Sequence, residues 1–233
     1  MTDFLEELQV FLADPDAWWG PGSIPTRLWE HLWVSAASVV IAGALVLPLA
    51  SILAHRRRGT IVASTVVNIG RAIPSFGLLV IGVVALIDVL GLGNVLPIPA
   101  LVALAAPPMF TNAVAGIQTV PPSVVEAARG VGYTERQVLV SVEIPLAAPV
   151  IAEGIRIAFV QVIATAPLAA LVAGGGLGRY IVDGFAQRDQ GELFVGAFLV
   201  ALLAIGAEWA MTRLQQRLTP GEKREKPQSD HRA

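Results

Sequence analysis

Apolar residues fall in long runs separated by short polar breaks, and the runs have the length that crosses a bilayer. A spanning helix needs about 20 mostly apolar residues, because a rise of about 1.5 Å per residue must cover about 30 Å of hydrocarbon. Residues 32–54 carry no charge and meet that length. Residues 60–87 are apolar apart from Arg71, and Pro74 predicts a break into a short helix and a longer one. Residues 98–118 make a third run, with a kink expected at Pro107–Pro108. Residues 146–172 make a fourth, carrying Glu153 and Arg156, and 193–212 a fifth with Glu208 near its end. The pattern predicts an all-α integral membrane protein of about five transmembrane helices. No stretch alternates as a membrane β-strand would, and none is long and polar enough for a separate soluble domain.

Composition agrees. The 233 residues are 55% hydrophobic and 15% charged, with a mean hydropathy of +0.66, whereas soluble domains carry about 25% charge. Disorder is excluded, and a net charge of −2 offers no basic surface to nucleic acid. The absence of cysteine removes disulfides, thiolate nucleophiles and Cys-ligated metals. His31, His55 and His231 are scattered, so no metal site or acid–base constellation forms, and an enzyme is not expected.

Charge orients the spans. With the N-terminus outside, the inner segments 55–60, 119–145 and 213–233 hold eleven Lys and Arg residues. The outer segments 1–30, 88–97 and 173–192 hold three, Arg27, Arg179 and Arg188. That bias predicts an N-out, C-in topology. Residues 1–30 are expected to form an external amphipathic segment, too acidic for a cleaved signal peptide. Residues 31–218 form the membrane domain and 219–233 a disordered inner tail. Trp18, Trp19, Trp29 and Trp33 suit an aromatic belt where the chain enters the bilayer, a docking role being the alternative.

The inner segment 119–145 is longer than a connector needs. Ser123 to Glu126, following Pro121–Pro122, reads as a capping box, and Thr134 to Gln137 as a second, with Gly130 and Gly132 supplying the turn between. Two short helices hinged at glycine, re-entering the membrane at Pro145, are expected: a shape suited to docking. Ala127 and Ala128 permit close approach, and Tyr133 with residues 138–140 would supply apolar contact surface. A structural reading stands beside it, in which these small residues only let two helices pack closely.

Glu126-Ala127-Ala128, Gly132 after three residues, and Val142-x-Ile144-Pro145 after nine more resemble the E-A-A-x3-G-x9-I-x-L-P signature of ABC importer permease subunits. Val142 and Ile144 stand where Ile and Leu are usual. The resemblance implies the type I importer permease architecture, with 119–145 as the coupling loop of a separate ATPase. It further implies two ATPase copies carrying the ATP and Mg²⁺, a second permease (itself or a sister subunit), and an external solute-binding protein. This chain has no G-x-x-x-x-G-K-[ST] loop, so no nucleotide cofactor of its own is expected, nor any metal. The implied location is the bacterial cytoplasmic membrane.

Two further segments resemble osmoprotectant importers, the permeases for glycine betaine, carnitine and choline: Arg71-Ala72-Ile73-Pro74-Ser75-Phe76-Gly77-Leu78-Leu79, and the glycine-rich run from Ala173 to Gly184. Arg71-Ala72 stands where Gln-Thr is more usual, and related glycine segments occur in methionine-type importers, which are the alternative. Candidate groups along the translocation path are Arg71, Pro74, Ser75, Asn112, Gln161 and Thr165. Neutral hydrogen-bonders in spans also bridge helices, and both readings stand for each of them. Phe76, Phe110 and Phe159 offer π faces to a methylated ammonium but equally suit packing. Glu153 and Arg156, at i and i+3, are expected to pair, as a helix-fixing contact or as a gate. An ion-coupled carrier is the remaining rival, and Glu153 as the one carboxylate deep in a span speaks against it.

Overall fold

A computed structural model describes residues 2–57, 59–60, 62–65, 74–90, 95–172 and 174–218, with all side chains except those of 2, 3, 75, 89 and 90. In chain order the helices are α1 (Thr2–Ala13), α2 (Ile24–His55), α3 (Ser75–Leu90), α4 (Ile98–Gln118), α5 (Pro122–Gly130), α6 (Glu135–Val138), α7 (Ile144–Thr165), α8 (Gly178–Gln187) and α9 (Gln190–Leu218). No strand occurs among the described residues. Four helical stretches there are long and apolar enough to cross a membrane: 24–55, 98–118, 135–171 and 190–217. The second expected span is represented by α3, which begins directly after Pro74 as the break requires. Its first part, including Arg71, lies outside the described residues, as does the tail 219–233.

Helices α2, α4 and α7 make the centre. Val34, Val39 and Ala42 of α2 meet Leu101, Leu104, Ala105 and Met109 of α4 and Ala158 and Val162 of α7. Nearer the coupling loop, Ala50 and Ala54 meet Phe110, Ala113, Ile117 and Ala147. Lipid tails are as apolar as leucine, so spanning helices associate by close packing over small residues. A Cβ on Gly154 of α7 would lie 2.7 Å from the Asn112 Cβ and 2.9 Å from the Pro108 carbonyl oxygen of α4. That glycine sets the α4–α7 approach.

Helix α4 has the expected bounds and stays helical through Pro107–Pro108, and one turn later Thr111 Oγ1 and Asn112 Nδ2 donate to the two proline carbonyls, each at 2.8 Å. Other boundaries differ from expectation, each for a local reason. Helix α2 begins at Ile24, so Trp29 and Trp33 ride on the spanning helix itself. No break separates the second loop helix from the spanning helix at Pro145. Helix α6 continues through a π-helical stretch, Leu139–Glu143, into α7. Pro145 has no N–H to bond residue 141, and the wider turn absorbs the missing rung.

Helix α1 lies across α9. Phe4 meets Phe194 edge-on at 5.4 Å, Phe11 meets Tyr180 at 5.5 Å, and Glu7 Oε2 accepts from the Gln190 N–H at 2.9 Å.

Candidate functional site

The segment 119–145 folds around a small core of its own. Val120, Val125 and Val138 are buried together, with Ala128 packed against them. Val138 is therefore not the contact surface expected of it, whereas Val140, at 54% exposure, and Tyr133, at 44%, do face outward, together with Val131, at 76%, and Val124, at 39%. Ala127 and Glu126 are exposed and Ala128 half-buried. Val142 and Ile144 are half-buried, and Pro145 is exposed at the start of α7.

The Ser123 capping box is absent. Helix α5 starts two residues earlier, with Pro122 in its first turn and Pro121 as the cap, and no side chain caps it. Proline's fixed φ suits the first helical turn, so the Pro-Pro pair overrides the serine. The second box does form: the Thr134 hydroxyl accepts from the Gln137 N–H, and the Gln137 side-chain oxygen accepts from the Thr134 N–H. Between the helices the reversal falls on Gly132, at φ +91°, a conformation that side-chain-bearing residues rarely adopt.

A charge network ties the knob to α2. Arg129 of α5 grips Glu135 of α6 with two bonds, Nε to Oε1 at 2.9 Å and Nη2 to Oε2 at 2.8 Å. The Glu135 carboxylate pushes the Arg129 guanidinium up from its ordinary pKa. His55, the last residue of α2, places Nε2 3.0 Å from Glu135 Oε2 and Nδ1 2.5 Å from Glu143 Oε2. Beside the ring, a groove of about 1220 Å³ separates the end of α2 from the loop.

The expected Glu153–Arg156 pair is present at 2.5 Å, but it is half of a larger set. Arg156 Nη1 also donates to Glu208 Oε1 at 2.5 Å and Thr212 Oγ1 at 2.9 Å, tying α7 to α9. Of the path candidates, Asn112 Nδ2 and Thr165 Oγ1 donate to carbonyls of their own helices, and Gln161 is exposed. Pro74 is exposed, and the Ser75 side chain and Arg71 lie outside the described residues. Phe110 is fully buried, and Phe159 packs against the central core.

At the far end of the bundle, His31 of α2 is buried, its Nε2 3.0 Å from the Ile163 carbonyl oxygen. In a helix that carbonyl would accept from residue 167, which is proline, so the imidazole N–H supplies the missing donor. Glu30 Oε2 accepts from the Gly176 N–H at 2.8 Å and pairs with Arg27 at 2.9 Å. Gly176 sits at φ +76° with the His31 backbone against it, and a Cβ on Gly178 would lie 2.4 Å from the Pro167 carbonyl oxygen. Tyr180 donates to the Gly22 carbonyl at 2.6 Å, and burial pushes its phenol up to about 12.

Sequence reasoning missed both histidines and Glu208. For His31 a signal existed in Pro167, which orphans a carbonyl; the partners of His55 are 80 and 88 residues away, and nothing local announces them.

A bundle of apolar helices, four of them long enough to cross a membrane, defines an integral membrane protein, and its loop 119–145 carries a small core of its own. The chain belongs to the family of binding-protein-dependent transport system inner membrane components, which it matches over residues 46–220. It is 34% identical over 199 residues to the carnitine transport permease protein OpuCB of Listeria monocytogenes, covering 85% of this chain and 89% of that one. It is 36% identical over 204 residues to the osmoprotectant import permease protein OsmW of Salmonella typhimurium, covering 85% and 93%. Among solved structures, an inward-facing MetNI methionine ABC transporter chain superposes with a TM-score of 0.75 at 23% identity, covering 84% of this chain and 96% of that one. The fold is thus that of an ABC importer permease.

Proposed function

We propose that this chain is the permease subunit of an ATP-driven importer for a quaternary-ammonium compatible solute, such as glycine betaine, choline or carnitine, in the bacterial cytoplasmic membrane. The observation that carries the reading is the self-contained knob 119–145, whose exposed Val131 and Tyr133 suit a cleft on an ATPase subunit. Relatives with carnitine, choline and osmoprotectant import in their names support the solute class. The positive bias of the segments sharing that end supports an N-out, C-in orientation, with the knob inside.

In this reading the chain performs no chemistry. Two ATPase subunits bind ATP and Mg²⁺ and close on hydrolysable nucleotide. Their movement enters through residues 126–145 and swings the spans between outward- and inward-open states. A second permease completes the pathway, and an external binding protein delivers solute. Weak, neutral groups such as Ser75, Asn112, Gln161 and Thr165 would let a zwitterion or quaternary cation pass without trapping it, and Arg71 beside Pro74 would stabilise the break in the second span. Glu153, Arg156 and Glu208 brace α7 against α9.

Purification from the native membrane in mild detergent tests this. An ATPase should accompany the chain and be lost on Gly132→Val, because a β-branched residue is strained at φ +91°. Uptake of labelled glycine betaine, choline and carnitine then ranks the solutes. A chain that purifies alone and moves solute on an ion gradient would overturn the reading.

A further inference from the structure

We propose that His55 is the positioning residue that hands movement of the coupling loop to the first spanning helix α2. The inference rests on the docking of the loop to an ATPase and adds the joint through which that docking acts.

The geometry is that of a two-sided clasp. The ring closes α2, and its two nitrogens face two different parts of the loop. Glu143, at Nδ1, is buried at the end of the π-helical stretch that leads into α7. Glu135, at Nε2, is 62% exposed at the start of α6 and is held from the other side by both arms of Arg129 in α5. One imidazole therefore connects α2 to α5, α6 and the root of α7. The other charged groups around the ring are Glu126 and Arg129 of α5, Arg136 of α6, and Arg56 and Arg57 from its own strand of chain.

Apolar packing alone would transmit motion poorly here. Leu53 and Ala54 of α2 touch Leu139 and Ile144, but that contact reaches only the root of the loop. The groove of about 1220 Å³ lies between α2 and the face made by Arg129, Glu135 and Arg136, and His55 bridges it. Packing is non-directional and lets surfaces slide, whereas two hydrogen bonds from a rigid ring fix both distance and angle.

The test uses the assembled importer in proteoliposomes with glycine betaine as solute. The chain has no cysteine, so Arg57→Cys and Ser123→Cys, the latter on an exposed residue outside the apolar docking surface, take spin labels at two defined places. In the wild-type background the label distance should be a single narrow distribution, and His55→Ala should broaden it. That variant should keep its ATPase subunits and basal hydrolysis while betaine-stimulated hydrolysis falls by about tenfold. An asparagine amide overlays Nδ1 of the ring and a glutamine amide overlays Nε2. His55→Asn, which keeps the Glu143 side, should therefore be as uncoupled as His55→Ala, while His55→Gln should retain part of the stimulation. Glu135→Ala, on an exposed residue whose loss leaves the core intact, should uncouple in the same way and guards against a folding defect in the His55 variants. Wild-type stimulation and distances in both His55→Ala and Glu135→Ala would overturn the joint alone. A wild-type chain that recovers no ATPase would overturn the docking reading, and the joint with it.

Discussion

Helix α2 carries a histidine near each end, and the two are held in opposite ways. His31 is buried and donates to a backbone carbonyl that Pro167 has orphaned. His55 stands between two carboxylates at the edge of an open groove. The glycines repeat the contrast. Near His31, Gly176 and Gly178 are pressed against backbone, where no side chain fits. On the loop 119–145 nothing lies within 4 Å of a Cβ built on Gly130 or Gly132, and Gly132 is needed for its φ alone. One end is a jammed joint closed against backbone, and the other a roomy one bridged by charged groups. Steric fit is lost all at once when a side chain is added, whereas directional bonds across an open space hold position without close packing.

The largest effect should come from the jammed end. Gly178→Ala puts a methyl 2.4 Å from the Pro167 carbonyl oxygen and 2.6 Å from its Cα, both backbone atoms that cannot turn aside. We expect a loss of about 3 kcal/mol or more, read as a collapse of the tryptophan-monitored melting temperature in detergent. His31→Ala strands the Ile163 carbonyl again and should cost about 1–3 kcal/mol. His55→Ala should change melting little by comparison, and equal losses at the two histidines would erase the distinction drawn between the ends.

The next prediction concerns pH. Tyr180 keeps its proton to about 12 in the folded chain against an ordinary value of 10.0. Across that window the folded state holds a proton that the unfolded state has released, so stability should fall as pH rises from about 10 to about 12. Tyr180→Phe should flatten that part of the melting-temperature profile; an unchanged slope would place the titration elsewhere. The smallest effect is expected at the roomy end, where Gly130→Ala, inside the last turn of α5 and unopposed, should raise stability by about 0.5–1 kcal/mol. A loss there would mean that the loop packs more tightly than its surroundings suggest.

Much of the architecture was legible along the chain, because bilayer physics writes it in one dimension. A run of apolar residues must become a helix, since lipid offers the backbone no other partner, and the break at Pro74 follows from a missing N–H. The Thr134–Gln137 cap and the reversal at Gly132 were equally local. The Ser123 cap failed because two prolines nearby fixed the helix start first, and the loop helix runs on into α7 without a break because a π turn absorbs the rung missing at Pro145.

The contacts that join elements lay beyond local pattern. That Arg156 reaches Glu208 across 52 residues, or that His55 meets Glu135 and Glu143, depends on which helices pack side by side and at what rotation. Glycine and alanine positions such as Gly154 and Gly116 decide that approach, and they act only once a neighbour is present. The amino-acid sequence by itself determined which runs are apolar enough to lie in lipid, that those runs are helical, and which loop is too long for a mere connector. Only the tertiary structure decided which lone polar residues find partners, because a hydrogen bond is a matter of a few ångströms in three dimensions and leaves no period in the chain.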